Sequence, residues 1–285
     1  MAKTRLDLLL VERGLAETRS KAQAIIMAGQ VRVNGQMVDR AGAAFTSEVQ
    51  VEVDSGPRFV SRGGEKLLAA LEAFPVDPSG LTCADVGAST GGFSDCLLQH
   101  GAAKIYAIDV GKGILHWKLR SDPRIIVMEG TNARYVESLP EPVQLVVCDA
   151  SFISLKTLLP VFSHWLIPAL LQLPAAERGA KQPPFSSKIG GELEGGVNVI
   201  TLIKPQFEAG RVDVARGRGV VRDPEIHRKV LVDILAFVQT QGFSPRGLIR
   251  SPLKGPEGNI EFLAWLNRQK ISVDVSTLIE NALSV

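Results

Sequence analysis

Apolar positions along this chain change rhythm near residue 57. Before it, Leu6, Leu9 and Leu10, with Leu15 as a further candidate, hold the spacing of a short amphipathic helix that Gly14 stops. Thr18 stands where an N-cap is expected for a second helix reaching Ala28, with Ala22, Ile25 and Ile26 inward and Gly29 as its stop. Val31-Arg32-Val33 and Met37-Val38 flank Asn34-Gly35, a pair suited to a type I′ turn, so a hairpin is predicted. Residues 48–53 alternate apolar and polar as a further strand. Together these elements predict a small α+β domain over residues 1–56.

Residues 57–65 hold Arg58, Arg62 and two glycines and read as a linker. The second domain, residues 66–285, alternates short apolar runs with helical stretches. Strands are predicted at 81–86, 105–109, 125–128, 145–149, 197–203, 243–250 and 259–265, and helices at 93–100 and 224–239. That alternation predicts an α/β fold, a doubly wound and mostly parallel sheet whose ligand sits beyond the carboxyl ends of its strands. Residues 157–173 are apolar but carry Ser163, His164 and two prolines, and fall short of the roughly 20 residues a membrane span needs, so they read as a buried helix. Residues 170–196, rich in Pro, Gly, Ser and Lys, show no periodicity and read as a surface insertion.

Composition narrows the function classes. Of the 285 residues 45% are hydrophobic, enough for a packed core, and 22% are charged. The net charge of +2 does not by itself announce a polyanion partner. Three scattered cysteines, Cys83, Cys96 and Cys148, argue against a disulfide framework and for a reducing cytoplasm. The first helix is too short and too charged for an export signal. His100, His116, His164 and His227 show no ligand spacing, so no metal is expected. The sequence does not indicate an oligomeric state.

The chemistry begins at Asp85-Val-Gly87-Ala-Ser89-Thr-Gly91-Gly92-Phe93, where glycines end a predicted strand and open a helix. Such a turn lets backbone approach a ligand closely and presents free N–H groups. It lacks both the G-x-G-x-x-G spacing and the lysine of a phosphate-cradling loop. Asp109, ending the next strand, suits a ribose diol, which a nicotinamide or flavin dinucleotide would also offer. The acid before the glycines and Thr90-Gly91-Gly92 after them resemble the first motif of S-adenosylmethionine-dependent methyltransferases. That resemblance implies S-adenosylmethionine as cofactor, held by Asp85, Gly87, Ser89, Gly91, Gly92, Phe93, Asp109, Val110, Asn132 and Asp149. Asn132 would meet the adenine, or else cap its own loop.

Four charged residues, Lys66, Asp149, Lys204 and Glu261, stand at predicted strand ends or at the entrance to the sheet. They resemble the Lys-Asp-Lys-Glu tetrad of the FtsJ-like ribose 2′-O-methyltransferases. The first 50 residues, through Arg5-Leu-Asp, Arg19, Ala22, Ile26, Gly29 and Val33-Asn34-Gly35, resemble the RNA-binding module of ribosomal protein S-four. With Phe59-Val-Ser-Arg-Gly-Gly-Glu-Lys66, Asp149-Ala-Ser-Phe-Ile-Ser-Leu155 and Lys204-Pro-Gln-Phe-Glu-Ala-Gly210, the whole chain is similar to the TlyA family, the hemolysin A-like rRNA methyltransferases. Glu65, beside the first lysine, and the length of the 170–196 insertion depart from that pattern.

The family implies 2′-O-methylation of rRNA cytidines, with rRNA or ribosomal subunits as partners. A ribose hydroxyl must lose its proton as it attacks the methyl, and a lysine accepts it only if its pKa, ordinarily about 10.4, is lowered. The tetrad then reads as Lys204 the base, Asp149 its holder, Lys66 the group placing the ribose oxygen, and Glu261 orienting the lysines. Arg5, Arg19, Lys21 and Arg32 in the first domain, with Arg62, Arg211 and Arg218, are the candidate RNA contacts. Competing classes are a membrane-active hemolysin, which the absence of a cationic amphipathic helix disfavours, and an inert ribosome-assembly protein, which the intact tetrad disfavours.

Overall fold

The computed structural model describes residues 3–54, 56–166, 197–210, 217, 219–269 and 273–284. The chain divides into two compact units, Met1–Arg58 and Phe59–Val285.

In the first unit, β1 (Lys3–Arg5) leads into α1 (Leu6–Glu12) and then α2 (Arg19–Met27). The Thr18 side chain caps α2 by accepting from the Lys21 amide, and Gly29 follows at φ +71°. The strands β2 (Val31–Val33) and β3 (Gln36–Met37) form the hairpin, with Asn34 and Gly35 both at positive φ as a type I′ turn requires. Leu6, Leu10, Ala22, Ile26, Val31 and Val33 make the core. Two features depart from the expectation. Residues 48–50 are not strand but the tail of a turn between β4 (Ala44–Thr46) and β5 (Val51–Val53). The pairing of β1 with β4 goes unannounced because strands of three residues are too short for alternation to register.

The second unit carries α3 (Gly63–Ala73), β6 (Thr82–Val86), α4 (Gly92–Gln99), β7 (Lys104–Asp109), α5 (Trp117–Arg120), β8 (Ile125–Glu129), β9 (Leu145–Cys148), α6 (Leu155–Trp165), β10 (Asn198–Ile203), α7 (Pro205–Glu208), α8 (Pro224–Thr240), β11 (Ser244–Arg250), β12 (Phe262–Asn267) and α9 (Val275–Leu283). The sheet order is β11-β12-β10-β9-β6-β7-β8. The pairings from β10 through β8 are parallel, and β12 runs against both β10 and β11.

Alternation along the strands sorts side chains to two faces. Ala84, Val86, Tyr106, Ile108, Val146 and Val199 face α6, α8 and α9, whereas Cys83, Ile105, Ala107, Leu145, Val147 and Ile200 face α3 and α4. Both faces are covered, so the strands read as continuous apolar runs. The register aligns Val86 with Ile108 on one side and Cys148 on the other, which brings the ends of β6, β7 and β9 level.

The linker expected over 57–65 is not what residues 59–65 form. Phe59 is buried in the second unit's core, and Gly63-Gly64 open α3. A Cβ on Gly64 would lie 2.2 Å from the Phe59 ring, so that glycine serves close packing. Strand β12 starts at Phe262 rather than near 259, because the Asn259 carbonyl accepts from the Gly255 amide in a turn, while its side chain accepts from the Val221 amide and donates to the Gly219 carbonyl. The described part of the predicted buried helix appears as α6, and residues 167–196, which include the rest of that stretch and the whole of the expected insertion, lie outside the described residues.

Candidate active site

The glycine turn after β6 is shaped by what passes beneath it. Gly87 has φ +81°, and a Cβ there would sit 2.9 Å from the backbone of Ala150, which cannot yield as a side chain would. Its amide and that of Ala88 both donate to the Ile108 carbonyl. Gly91, at φ +97°, is the N-cap of α4, and Phe93 is buried behind it. Asp109 ties the turn to the next strand: one carboxylate oxygen accepts from the Ser89 amide at 2.8 Å, the other from the Gly111 amide at 2.7 Å. Each oxygen keeps a lone pair, so the expected ribose contact is compatible with these bonds.

Asp85 lies one layer beneath, fully buried, with Ser94 Oγ donating to Oδ2 at 2.7 Å and Oδ1 unpartnered. Burial pushes its carboxyl up to about 7; the Ser94 hydrogen bond opposes the shift and the charges of Asp149 and Asp109 add to it.

Beside the turn opens a cleft of about 270 Å³. Gly87, Ser89, Thr90, Gly92 and Phe93 form one wall, Ser61, Arg62, Gly63 and Lys66 a second, and Leu253, Lys254 and Gly255 a third, with Asp149 at its edge. The 61–64 segment rests on the turn so closely that a Cβ on Gly92 would meet Ser61 Oγ at 2.3 Å.

At that edge the four predicted charges come together. Lys66, on the first turns of α3, places Nζ 2.7 Å from Glu261 Oε2 and 3.6 Å from Asp149 Oδ2. Lys204, just past β10, places Nζ 2.6 Å from Asp149 Oδ1 and donates to Ser151 Oγ at 2.9 Å and to the Asp149 carbonyl at 3.2 Å. Asp149 thus stands between two ammonium groups. Glu261 is wholly buried, and its other oxygen accepts from Gln206 Nε2 at 3.2 Å. Two cations and two anions in mutual contact leave the cluster formally neutral, which is what makes such burial tolerable.

Several predicted residues stand elsewhere. Val110 is exposed on the loop after β7. Asn132 Oδ1 accepts from the Arg134 amide and so caps the short 3-10 turn Ala133–Tyr135, the second of the two roles foreseen for it. Arg62 lines the cleft, while Arg211 and Arg218 lie outside the described residues. Glu129 goes unforeseen, although an acid ending a third strand is a readable signal. Its carboxylate accepts from the amides of Gly113, Ile114 and Leu115 and from Arg120, shaping the loop that follows Asp109. The Arg120 bond, with those amides, holds it down at about 2.

In the first unit, Arg5 and Arg19 converge on the buried carboxylate of Asp7. Arg5 grips it with two N–H groups at 3.0 and 2.9 Å, Arg19 Nε adds a third at 3.0 Å, and Gln23 a fourth at 2.8 Å. The Arg5 hydrogen bond, opposed by burial, holds Asp7 well below the usual carboxylate range. Both arginines remain about half exposed, so one acid fixes two guanidinium groups on one face. Lys21 and Arg32 are exposed.

Comparison with known proteins agrees with this geometry. The FtsJ-like methyltransferase family matches residues 59–268, and the S4 domain matches residues 4–51. YqxC of Bacillus subtilis, which carries an rRNA methyltransferase name, is 43% identical over 93% of this chain and 86% of its own. The 16S/23S rRNA (cytidine-2′-O)-methyltransferase TlyA of Mycobacterium tuberculosis is 41% identical over 94% of this chain and 91% of its own. A solved Streptococcus thermophilus structure bearing the hemolysin name shares 38% identity at a TM-score of 0.68, covering 100% of this chain and 95% of that one. With the FtsJ-like family model matching residues 59–268, the S4 domain before it, and relatives 41–43% identical over more than nine-tenths of its length, the chain belongs to the TlyA family of FtsJ-like methyltransferases.

Proposed function

We propose that the protein transfers the methyl group of S-adenosylmethionine to the 2′-hydroxyl of a cytidine in rRNA, acting on ribosomal subunits in the cytoplasm. The observation that carries this reading is the meeting of Lys66, Asp149, Lys204 and Glu261 at the rim of the glycine-turn cleft. The M. tuberculosis relative bears the cytidine-2′-O name. No helix among the described residues is long and apolar enough to cross a membrane.

The residues present fit the cofactor: the cleft is walled by the backbone of the glycine turn at Gly87, Ala88, Ser89 and Gly92, with no side chain on that stretch larger than that of Thr90, and Phe93 beside it. Gly87, Ser89, Gly91, Gly92 and Phe93 would hold its amino-acid side, and Asp109, at the end of β7, its ribose. Bound there, S-adenosylmethionine supplies an electrophilic methyl group on a sulfonium.

The residues then divide the work. Lys66 and Asp149 line the cleft, so they meet the ribose first. Taking a proton from Lys66 would strand the buried Glu261 carboxylate, whereas taking one from Lys204 leaves Asp149 still facing Lys66. Lys204, having first released a proton to solvent, is therefore the amine that takes the hydroxyl proton as the methyl transfers, Asp149 orients it and the hydroxyl, and Lys66 remains an ammonium that places the ribose oxygen. Holding hydroxyl and methyl in line supplies much of the acceleration.

The test incubates the protein with methyl-labelled S-adenosylmethionine and unmethylated ribosomal subunits. The reading expects label at a cytidine whose ribose resists alkaline cleavage. Label on a base, or no transfer to rRNA, overturns it.

A further inference from the structure

We propose that Gln206 is a positioning residue of the methyl-transfer site, acting on Lys66 through the carboxylate of Glu261; the inference rests on the function proposed above. Gln206 lies two residues beyond Lys204, in the short helix α7, whose first residue Pro205 is buried. Its Nε2 donates to Glu261 Oε1 at 3.2 Å, while Glu261 Oε2 accepts from Lys66 at 2.7 Å. Lys66 then faces Asp149, and Asp149 faces Lys204. The five side chains make a ring closed by the backbone between Lys204 and Gln206.

Two observations make this more than packing. An ionised carboxylate only accepts, so the Gln206 amide must present its NH2 to Glu261, and its orientation is set by chemistry. That leaves Gln206 Oε1 buried with no partner. A buried acceptor left unpaired is a cost borne at the site itself, as expected where donating to Glu261 matters more than satisfying the amide. On the far side Gly255 comes so close that a Cβ there would lie 2.2 Å from Glu261 Oε1, which leaves no room for a side-chain donor from that residue. The groups facing Glu261 are Lys66 from α3, Gln206 from α7 and the Gly255 backbone, with Asp149 and Lys204 beyond Lys66. Gln206 reaches the cleft-lining Lys66 only through Glu261, so its effect is expected on turnover.

The test compares Gln206→Met, which keeps length but removes the donor, with Gln206→Glu, in the full chain. In single-turnover methyl transfer Gln206→Met is expected to lose roughly ten- to a hundredfold in rate, with KM for S-adenosylmethionine unchanged. Relative to wild type at the same pH, Gln206→Glu recovers rate at low pH, where its carboxyl is protonated and donates to Glu261, and loses it as pH rises and two carboxylates face each other. A role in packing alone gives no such pH-dependent rescue. A second readout needs no turnover: in protein labelled at lysine Cε, the NMR signal of Lys66, assigned with Lys66→Arg, moves in Gln206→Met and returns in Gln206→Glu at low pH. A rate in Gln206→Met equal to wild type, or a Lys66 signal indifferent to both substitutions, overturns the inference. Absence of rRNA methylation by the wild-type protein defeats the functional reading alone, and the NMR readout still decides this one.

Discussion

Asp149 and Lys204 stand just past the ends of neighbouring parallel strands, and their charged groups meet 2.6 Å apart. The register makes this contact: Thr201 of β10 pairs with Cys148 of β9, so β10 runs on to Ile203 and its next residue reaches back to the carboxylate. Lys66 closes on the same carboxylate from α3, and Glu261 arrives from the start of β12. Residues far apart in sequence thus form one ion cluster because the sheet's carboxyl edge is where these elements end.

The turn at Gly87 admits no side chain. Gly87→Ala would combine a φ of +81° with a Cβ 2.9 Å from the Ala150 backbone, displacing the segment that carries Asp149. We expect a loss of about 1–3 kcal/mol in stability and loss of cofactor binding, read by urea denaturation and calorimetric titration.

Asp85 predicts a pH dependence of stability. Its carboxyl is pushed up to about 7 in the folded chain by burial, against about 4 when unfolded. Between those values the native state holds a proton that the unfolded state has released, so stability falls as pH rises through that window and levels off above it. Asp85→Asn should flatten the decline, by about 2 kcal/mol between pH 5 and pH 8. Equilibrium denaturation of both proteins at the two pH values measures the difference.

The paired arginines of the first unit predict a salt signature. If Arg5 and Arg19, anchored on Asp7, each meet a phosphate, replacing either with Ala should weaken rRNA binding at all sequences. Each should lower the slope of log affinity against log salt by about 0.7–0.9. Filter binding across a salt series measures it, and an unchanged slope removes these residues from the RNA contact.

Much of this was legible before the structure. Strands buried on both faces appear as unbroken apolar runs, and a charge or glycine ending such a run marks the functional edge, which is how Asp85, Asp109, Asp149 and Lys204 stand out. Lys66 stood out only through its motif, because Gly63-Gly64 look like flexible chain; their role in packing against Phe59 and Gly92 depends on contacts distant in sequence. Gln206 escaped because its work is to hydrogen-bond a carboxylate, which leaves no trace in periodicity, whereas Glu129 carries the same strand-end signal as Asp109 and was passed over. Asp109 was legible as an acid at a strand end, while its double bond to the Ser89 and Gly111 amides was not.

The most direct test of the ion cluster as the catalytic centre is single-turnover methyl transfer to rRNA by wild type and Lys204→Ala, with S-adenosylmethionine affinity measured in parallel. The account predicts that Lys204→Ala loses roughly 10² to 10⁴ in rate while binding the cofactor as wild type does. Transfer at the wild-type rate by Lys204→Ala would contradict it.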